Sequence, residues 1–368
     1  MKRRIHLLVL VIVLLGLTNC KKSKVDIVYD PKYIKEIKEL REELAFYLES
    51  NFIPGGSFAI ARDGKIIYSE GMGYASKELD VRVNRKTKFR IADVSELFTS
   101  AIYQILVQNG MLSPDSTVHH YLPDFPPKKY KLTLRDLANH TSGLRIPSRK
   151  ELDWEGFTVS LEDRINYFKD DTLLYEPGYV QYSTAFDYDL LGAVMEKVSK
   201  KSYSELLKNY ITDTLNLSNT ETADPFKNIA GRTNYFDKSI VALTMNAPFC
   251  DLRSRAASEG ILSNAEDLVK FGNAILFSEA ISDDIKERLF EPMTLKSNET
   301  ARVANGWVIT KTNDGRTLYG MAGSVTGGGA TLLIFPDEKL VIAAAINLTS
   351  EMNDLPVKAM SEPFIEEK

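Results

Sequence analysis

Strand-type patterning sits near both ends of this chain and helical patterning fills its middle, and that distribution constrains the fold more than any other feature. Residues 57–61 and 66–73 read as strands flanking Asp63-Gly64, a dipeptide favoured in two-residue hairpins because it tolerates positive φ. Strand patterning returns at residues 306–311, 331–335 and 340–347, with Pro336-Asp337-Glu338 supplying a turn between the last two. Between them, residues 97–109 and 188–198 read as helices, and residues 263–277 as a further capped helix. Near the start, residues 31–50 carry Ile34, Ile37, Leu40, Leu44 and Leu48 at the spacing of an amphipathic helix that should lie against a sheet. The expected fold is α+β: an antiparallel sheet built from N- and C-terminal segments and flanked by helices, with a mainly helical subdomain inserted. Residues 31–92 and 257–368 are assigned to the sheet subdomain and residues 93–256 to the helical one.

Residues 1–4 are basic and residues 5–16 are apolar apart from His6, a run too short to span a bilayer comfortably. Leu17-Thr18-Asn19-Cys20 follows, and a cysteine directly behind such a run resembles the lipobox of bacterial lipoproteins, although Asn19 departs from the usual small residue. The expectation is a signal peptide over residues 1–19, lipidation at Cys20 and a tether over residues 20–30. Such a chain is exported and anchored on the periplasmic or cell-surface face of a bacterial membrane. Removal of residues 1–19 leaves 43 basic against 50 acidic residues, a formal charge of about −7, with no basic tract to recommend nucleic acid. Only Cys20 and Cys250 are present, so a lipidated Cys20 leaves no intrachain disulfide and Cys250 reads as a small buried residue.

Several phrases occur in a telling order. They are Phe58-Ala59-Ile60-Ala61-Arg62-Asp63-Gly64, Phe89-Arg90-Ile91-Ala92, the L-A-N-H-T-S-G-L stretch from Leu137 to Leu144, Glu176-Pro177-Gly178 with Tyr182-Ser183, and Glu259-Gly260-Ile261-Leu262-Ser263. With Gly306-Trp307 and the closing strands through Asn347, they resemble the serine β-lactamase-related family, which also holds penicillin-binding proteins, D-alanyl-D-alanine carboxypeptidases and esterases. The resemblance spans nearly the whole chain behind the signal.

That resemblance implies acyl transfer by a serine, a lysine one helical turn on that takes its proton, and a tyrosine that relays it. Residues three apart share a helix face, so S-x-x-K brings the amine to the hydroxyl. Here the matching stretch is Asp93-Val94-Ser95-Glu96, which puts Asp93 at the nucleophile position and Glu96 at the base position. No serine in the chain is followed by lysine three residues later, and Ser95 is followed there by Phe98. The family's Y-x-N reads Tyr182-Ser183-Thr184, exchanging an amide for one small hydroxyl, and its K-T-G or H-x-G reads Met321-Ala322-Gly323. Gly323 still allows close approach to the strand backbone, with Ser324 beside it.

Two readings of the acidic pair stay open. Asp-x-x-Glu before an apolar helix matches a capping box, in which Asp93 takes the first amides and Glu96 reaches back. Alternatively, Asp93 and Glu96 form a carboxylate pair that activates water for an ester or uncharged amide. Two carboxylates alone are a poor metal site, and neither His140, in the resembling loop, nor His119-His120, before Tyr121-Leu122-Pro123, completes one. No metal or cofactor is expected. Tyr182 reads as cleft wall in the absence of a lysine. The expected function is that of a non-catalytic, lipid-anchored binding or regulatory protein of the cell envelope, its cleft lined by Asp93, Glu96, Tyr182, Thr184, Gly323 and Ser324 and holding a muropeptide, a partner protein or nothing.

Overall fold

The computed structural model describes residues 26–152, 159–239, 244–350, 352 and 355–365. The signal segment and Cys20 lie outside the described residues. Five helices position the site: α1 (Ile34–Ser50), α2 (Ser95–Gln108), α3 (Leu134–Ala138), α4 (Ala185–Ser199) and α5 (Ala265–Phe277). The main sheet contains β1 (Ile27–Tyr29), β2 (Gly55–Arg62), β3 (Lys65–Ser76), β4 (Val303–Ala304), β5 (Trp307–Lys311), β6 (Thr317–Val325), β7 (Gly328–Phe335) and β8 (Leu340–Ile346). Their spatial order is β1-β3-β2-β8-β7-β6-β5-β4, antiparallel throughout. The two chain ends therefore meet at the β2–β8 pair, where Ile60 faces Ile342. Because β1 pairs with β3 from Ile27, the expected tether over residues 20–30 is shortened: its last residues are an edge strand.

The hairpin between β2 and β3 forms as expected. Asp63 and Gly64 adopt φ of 49° and 75°, the two positive values that a right-handed twist demands of a two-residue connection. Side chains on β2 and β8 then alternate between two apolar layers. Phe58, Ile60, Ile342 and Ile346 pack with Ile37, Leu40, Leu44 and Leu48 of α1, whereas Ala59, Ala61, Val341 and Ala343 pack with Leu268, Phe271 and Ile275 of α5. Ile34, counted in the amphipathic stripe, is instead exposed, because a single 3-10 turn at Pro31–Tyr33 precedes the helix proper. Helix α5 starts at Ala265, after β-type backbone at Ile261–Ser263, and is capped by Asn264, whose side chain accepts from Asp267 N at 2.8 Å.

Helix α2 is buried nearly all round, from Ser95 through Gln104. A helix with that exposure belongs to the interior rather than to a surface. Phe98 of α2 stacks on Phe271 of α5 at 4.2 Å, which joins the inserted region to the sheet layer. Among the described residues, no helix is long and apolar enough to cross a membrane.

One side chain stitches the halves together. Asn347 is buried; its Oδ1 accepts from Gly55 N at 2.9 Å, and its Nδ2 donates to Tyr74 O at 2.9 Å and to Thr233 Oγ1 at 2.8 Å. Asn347→Ala leaves those groups without partners and is expected to lower stability by about 3 kcal/mol in urea denaturation. A loss below about 1 kcal/mol would show that the contact does not hold the ends.

Candidate active-site cleft

The chain is clamped immediately before Asp93. Phe89–Arg90 pairs with Ile261–Ser263, and Ile91 N donates to Ile261 O at 3.1 Å. Ala92 then turns with φ of 48°, in the left-handed region, and a 3-10 turn over Ala92–Val94 leads into α2. This bend lays the half-buried Asp93 against β6. A Cβ at Gly323 would stand 2.7 Å from the Asp93 Cβ and would overlap its carboxylate, so only glycine permits this contact. The Asp93 carboxyl accepts from its own backbone N–H and from that of Ser324. Burial raises its pKa, against the opposing pull of those amides and of the Arg255 and His140 charges.

Glu96 points elsewhere. Its Oε2 lies 3.1 Å from His140 Nε2, and His140 Nδ1 lies 2.9 Å from Asp187 Oδ2. All three side chains are buried. The sequence folds this way because three local signals converge. Glu96 sits in the first turn of α2; Asp187 sits in the first turn of α4. His140 follows α3 with φ of 55°, and its carbonyl accepts from Tyr182 N at 2.8 Å. Burial alone lowers the His140 pKa, but the Glu96 charge and hydrogen bonds to both carboxylates outweigh it and push the imidazole up to about 10. Burial raises Glu96 to about 7 despite the pull of His140, and it raises Asp187 likewise.

The capping-box expectation is overturned. Neither the turn at Ala92–Val94 nor α2 receives a side-chain cap, because Glu96 is drawn inward by the imidazolium and Asp93 lies on β6. That arrangement forms instead at Thr133 with Asp136, ahead of α3. Thr184 is also not a cleft group: it is buried, donating to Arg145 O at 2.8 Å and accepting from Phe186 N as the cap of α4. Tyr182 is 48% exposed, so its ring is not packed into the wall. Met321 packs its side chain on the core, and Ser95 Oγ accepts from Ile261 N at 3.2 Å, where it is buried. Asp93, Gly323 and Ser324 are thus brought together, while Glu96 and Thr184 lie behind them. Sequence reasoning missed His140 as the partner of Glu96, and Asp187 as the partner of His140. The available signal was an acid at a helix start facing the interior, which demands a cation, and His140 stood in a loop that the resemblance brings close. Among the described residues, no group of three or more His, Cys, Asp and Glu side chains is arranged to hold a metal ion.

Residues 37–362 match the family model described as Beta-lactamase. The chain belongs to the beta-lactamase family. It is 26% identical over 314 residues to human "Serine beta-lactamase-like protein LACTB, mitochondrial", covering 67% of this chain and 57% of that protein. It is 25% identical over 342 residues to "Protein flp" of Staphylococcus aureus, covering 87% of this chain and 65% of that one. The chain thus spans under two thirds of the length of either relative. In fold, this beta-lactamase family member superposes on FmtA from Staphylococcus aureus with a TM-score of 0.76 at 22% identity, covering 93% of this chain and 89% of FmtA. The octameric penicillin-binding protein homologue from Pyrococcus abyssi gives 0.75 at 22% identity, covering 84% and 73%.

The buried acid–imidazole–acid chain carries a pH signature. Glu96 rises from 4.5 to about 7, so the folded protein keeps a proton that the unfolded chain has released, and stability falls as the pH climbs through that window. His140 rises from 6.5 to about 10, so its contribution is complete below 6.5 and is lost as the pH climbs toward 10. Urea midpoints should fall steadily from pH 6 to pH 9, and removing all three titrating groups in Glu96→Gln/His140→Gln/Asp187→Asn should flatten that slope. An equally steep slope in the variant would contradict the assignment.

Proposed function

We propose that this family member does not acylate and serves as a lipid-anchored binding or regulatory protein of the cell envelope. The observation that carries the reading is the commitment of Glu96 to His140. On the resemblance, Glu96 occupies the place of the base and Asp93 that of the nucleophile. Glu96 is held in a buried ion chain and, being a carboxylic acid, offers Asp93 no amine to accept a proton. Asp93 itself is a carboxylate with backbone N–H groups of residues 93 and 324 turned toward it. Those donors suit a developing oxyanion, and here they already meet a negative group. Support for anchoring comes from the basic start, the apolar run and Cys20. A structural relative named as a penicillin-binding protein homologue makes a cell-wall peptide a reasonable occupant of the cleft, with a partner protein as the other.

Incubation with a fluorescent penicillin should leave the intact mass unchanged, and a stable adduct on a cleft residue would sink the reading. Penicillins and D-Ala-terminated peptides carry a carboxylate that Asp93 repels, so calorimetry should find no tight reversible binding of either.

A second reading rests on Asp93, a half-buried acid lying against β6 whose carboxyl pKa burial raises, as a general acid or base. On that reading, chromogenic esters are hydrolysed by the wild type and not by Asp93→Ala. Equal rates in the two proteins, or none in either, would remove it.

A further inference from the structure

The end of the main sheet at which the chain enters it carries a group of exposed apolar side chains. β1 runs antiparallel to β3, with Ile27 facing Glu70 and Tyr29 facing Tyr68, so the residues before Ile27 lead toward the C-terminal end of β3. Asp26 is pinned there, accepting from Arg85 Nε at 2.8 Å and from Arg85 N at 3.4 Å. Beyond Ser76 the chain turns over residues 77–80 and returns as a short strand, Val81–Arg82, along the edge of β3 away from β2.

Two more segments close on this end. Tyr74 N donates to Pro54 O at 2.8 Å, which brings Phe52 to the last residues of β3, and Thr244 Oγ1, from the strand Thr244–Asn246, donates to Phe52 O at 3.1 Å. Phe52, Leu79, Val81 and Met245 are between 47% and 72% exposed. Apolar side chains scattered singly over a surface need no explanation, but four that converge on one end of a sheet mark a contact.

What covers them follows from the chain that leads in. Cys20 and Asp26 are six residues apart, at most about 21 Å of extended chain, so an anchor at Cys20 holds this end of the sheet against the bilayer. The charges agree. Lys21, Lys22 and Lys24 precede Asp26. In the turn and the strand after it, Arg85 is paired with Asp26 and Glu266, and Lys88 with Glu221, but Lys77, Arg82 and Lys86 have no carboxylate partner among the described residues. With the three tether lysines they make six cations, against Glu78 and Asp80 in the same two stretches, on a chain whose overall charge is negative. Exposed apolar groups flanked by lysine and arginine suit the boundary between lipid headgroups and acyl chains.

We propose that this end of the sheet docks on the bilayer surface, with Phe52, Leu79, Val81 and Met245 entering the headgroup boundary and the neighbouring cations meeting lipid phosphates. The proposal rests on the reading of Cys20 as the anchor. It also orients the cleft. Gly323, which packs on Asp93, is in register through Ala330, Ala345 and Ser57 with Gly71 of β3, so the cleft lies on the membrane-side half of the sheet and meets ligands near the lipid surface.

The test uses the full chain in vesicles of phosphatidylethanolamine and phosphatidylglycerol, spin-labelled through Leu79→Cys, Met245→Cys or Phe277→Cys, with Cys250 buried and out of reach. Phe277 is an exposed control at the opposite end of the sheet, beside Gly64. In power saturation, the ratio of collisions with oxygen to collisions with a water-soluble nickel chelate should be at least threefold higher at 79 and 245 than at 277. Equal ratios at all three positions overturn the proposal. So does loss of both collision partners at 79 and 245, which marks a protein contact instead. Intact mass reads acylation of Cys20 separately: a chain without acyl groups removes the anchoring reading, and labelled chains that also carry Cys20→Ser then decide docking by the same ratios.

Discussion

An imidazole held between two carboxylates in the buried interior governs the middle of this molecule. Placing an unpaired ion there costs several kcal/mol, and removing one partner of a buried pair costs about 3–5 kcal/mol. Glu96, His140 and Asp187 escape that cost only together, and they come from the start of α2, the loop after α3 and the start of α4. Three segments distant in sequence are thereby fixed at one point. The start of α2, once fixed, carries the turn over Ala92–Val94 and lays Asp93 on β6. The cleft is shaped from behind by an interaction that never reaches its surface.

On the proposed reading, in which Glu96 stands where the resembling family carries a lysine, that exchange has a physical logic within this frame. A lysine there would face His140, and two cations side by side would force one of them to be neutral. A glutamate instead stabilises the imidazolium, and the proton that a reactive site keeps available becomes part of a structural ion chain. The framework tolerates the exchange because its stability comes from the layers on either face of β2 and β8, not from the cleft.

The framework was legible in the sequence because it rests on periodicity. The alternation at residues 57–61, the Asp63-Gly64 turn and the helical spacing over residues 31–50 each fix local geometry through sterics and burial. Strand β6 escaped pattern reading, since Gly320, Ala322 and Gly323 give no apolar alternation; only the family resemblance suggested a strand there. The site was less legible for a different reason. Asp93 and Glu96 fit the local rule for a helix cap, and only three-dimensional packing reveals that a histidine 44 residues away claims Glu96. Thr184 behaved in the opposite way: read as a cleft group, it is consumed by a local cap on α4.

The ionisation of His140 tests this account most directly. Nitrogen-15 NMR of histidine-labelled protein at pH 8 should show one imidazole with both ring nitrogens protonated, consistent with a pKa raised to about 10 by Glu96 and Asp187. That signal should vanish in His140→Gln. If every histidine is neutral at that pH, the ion chain does not exist and the base position is free.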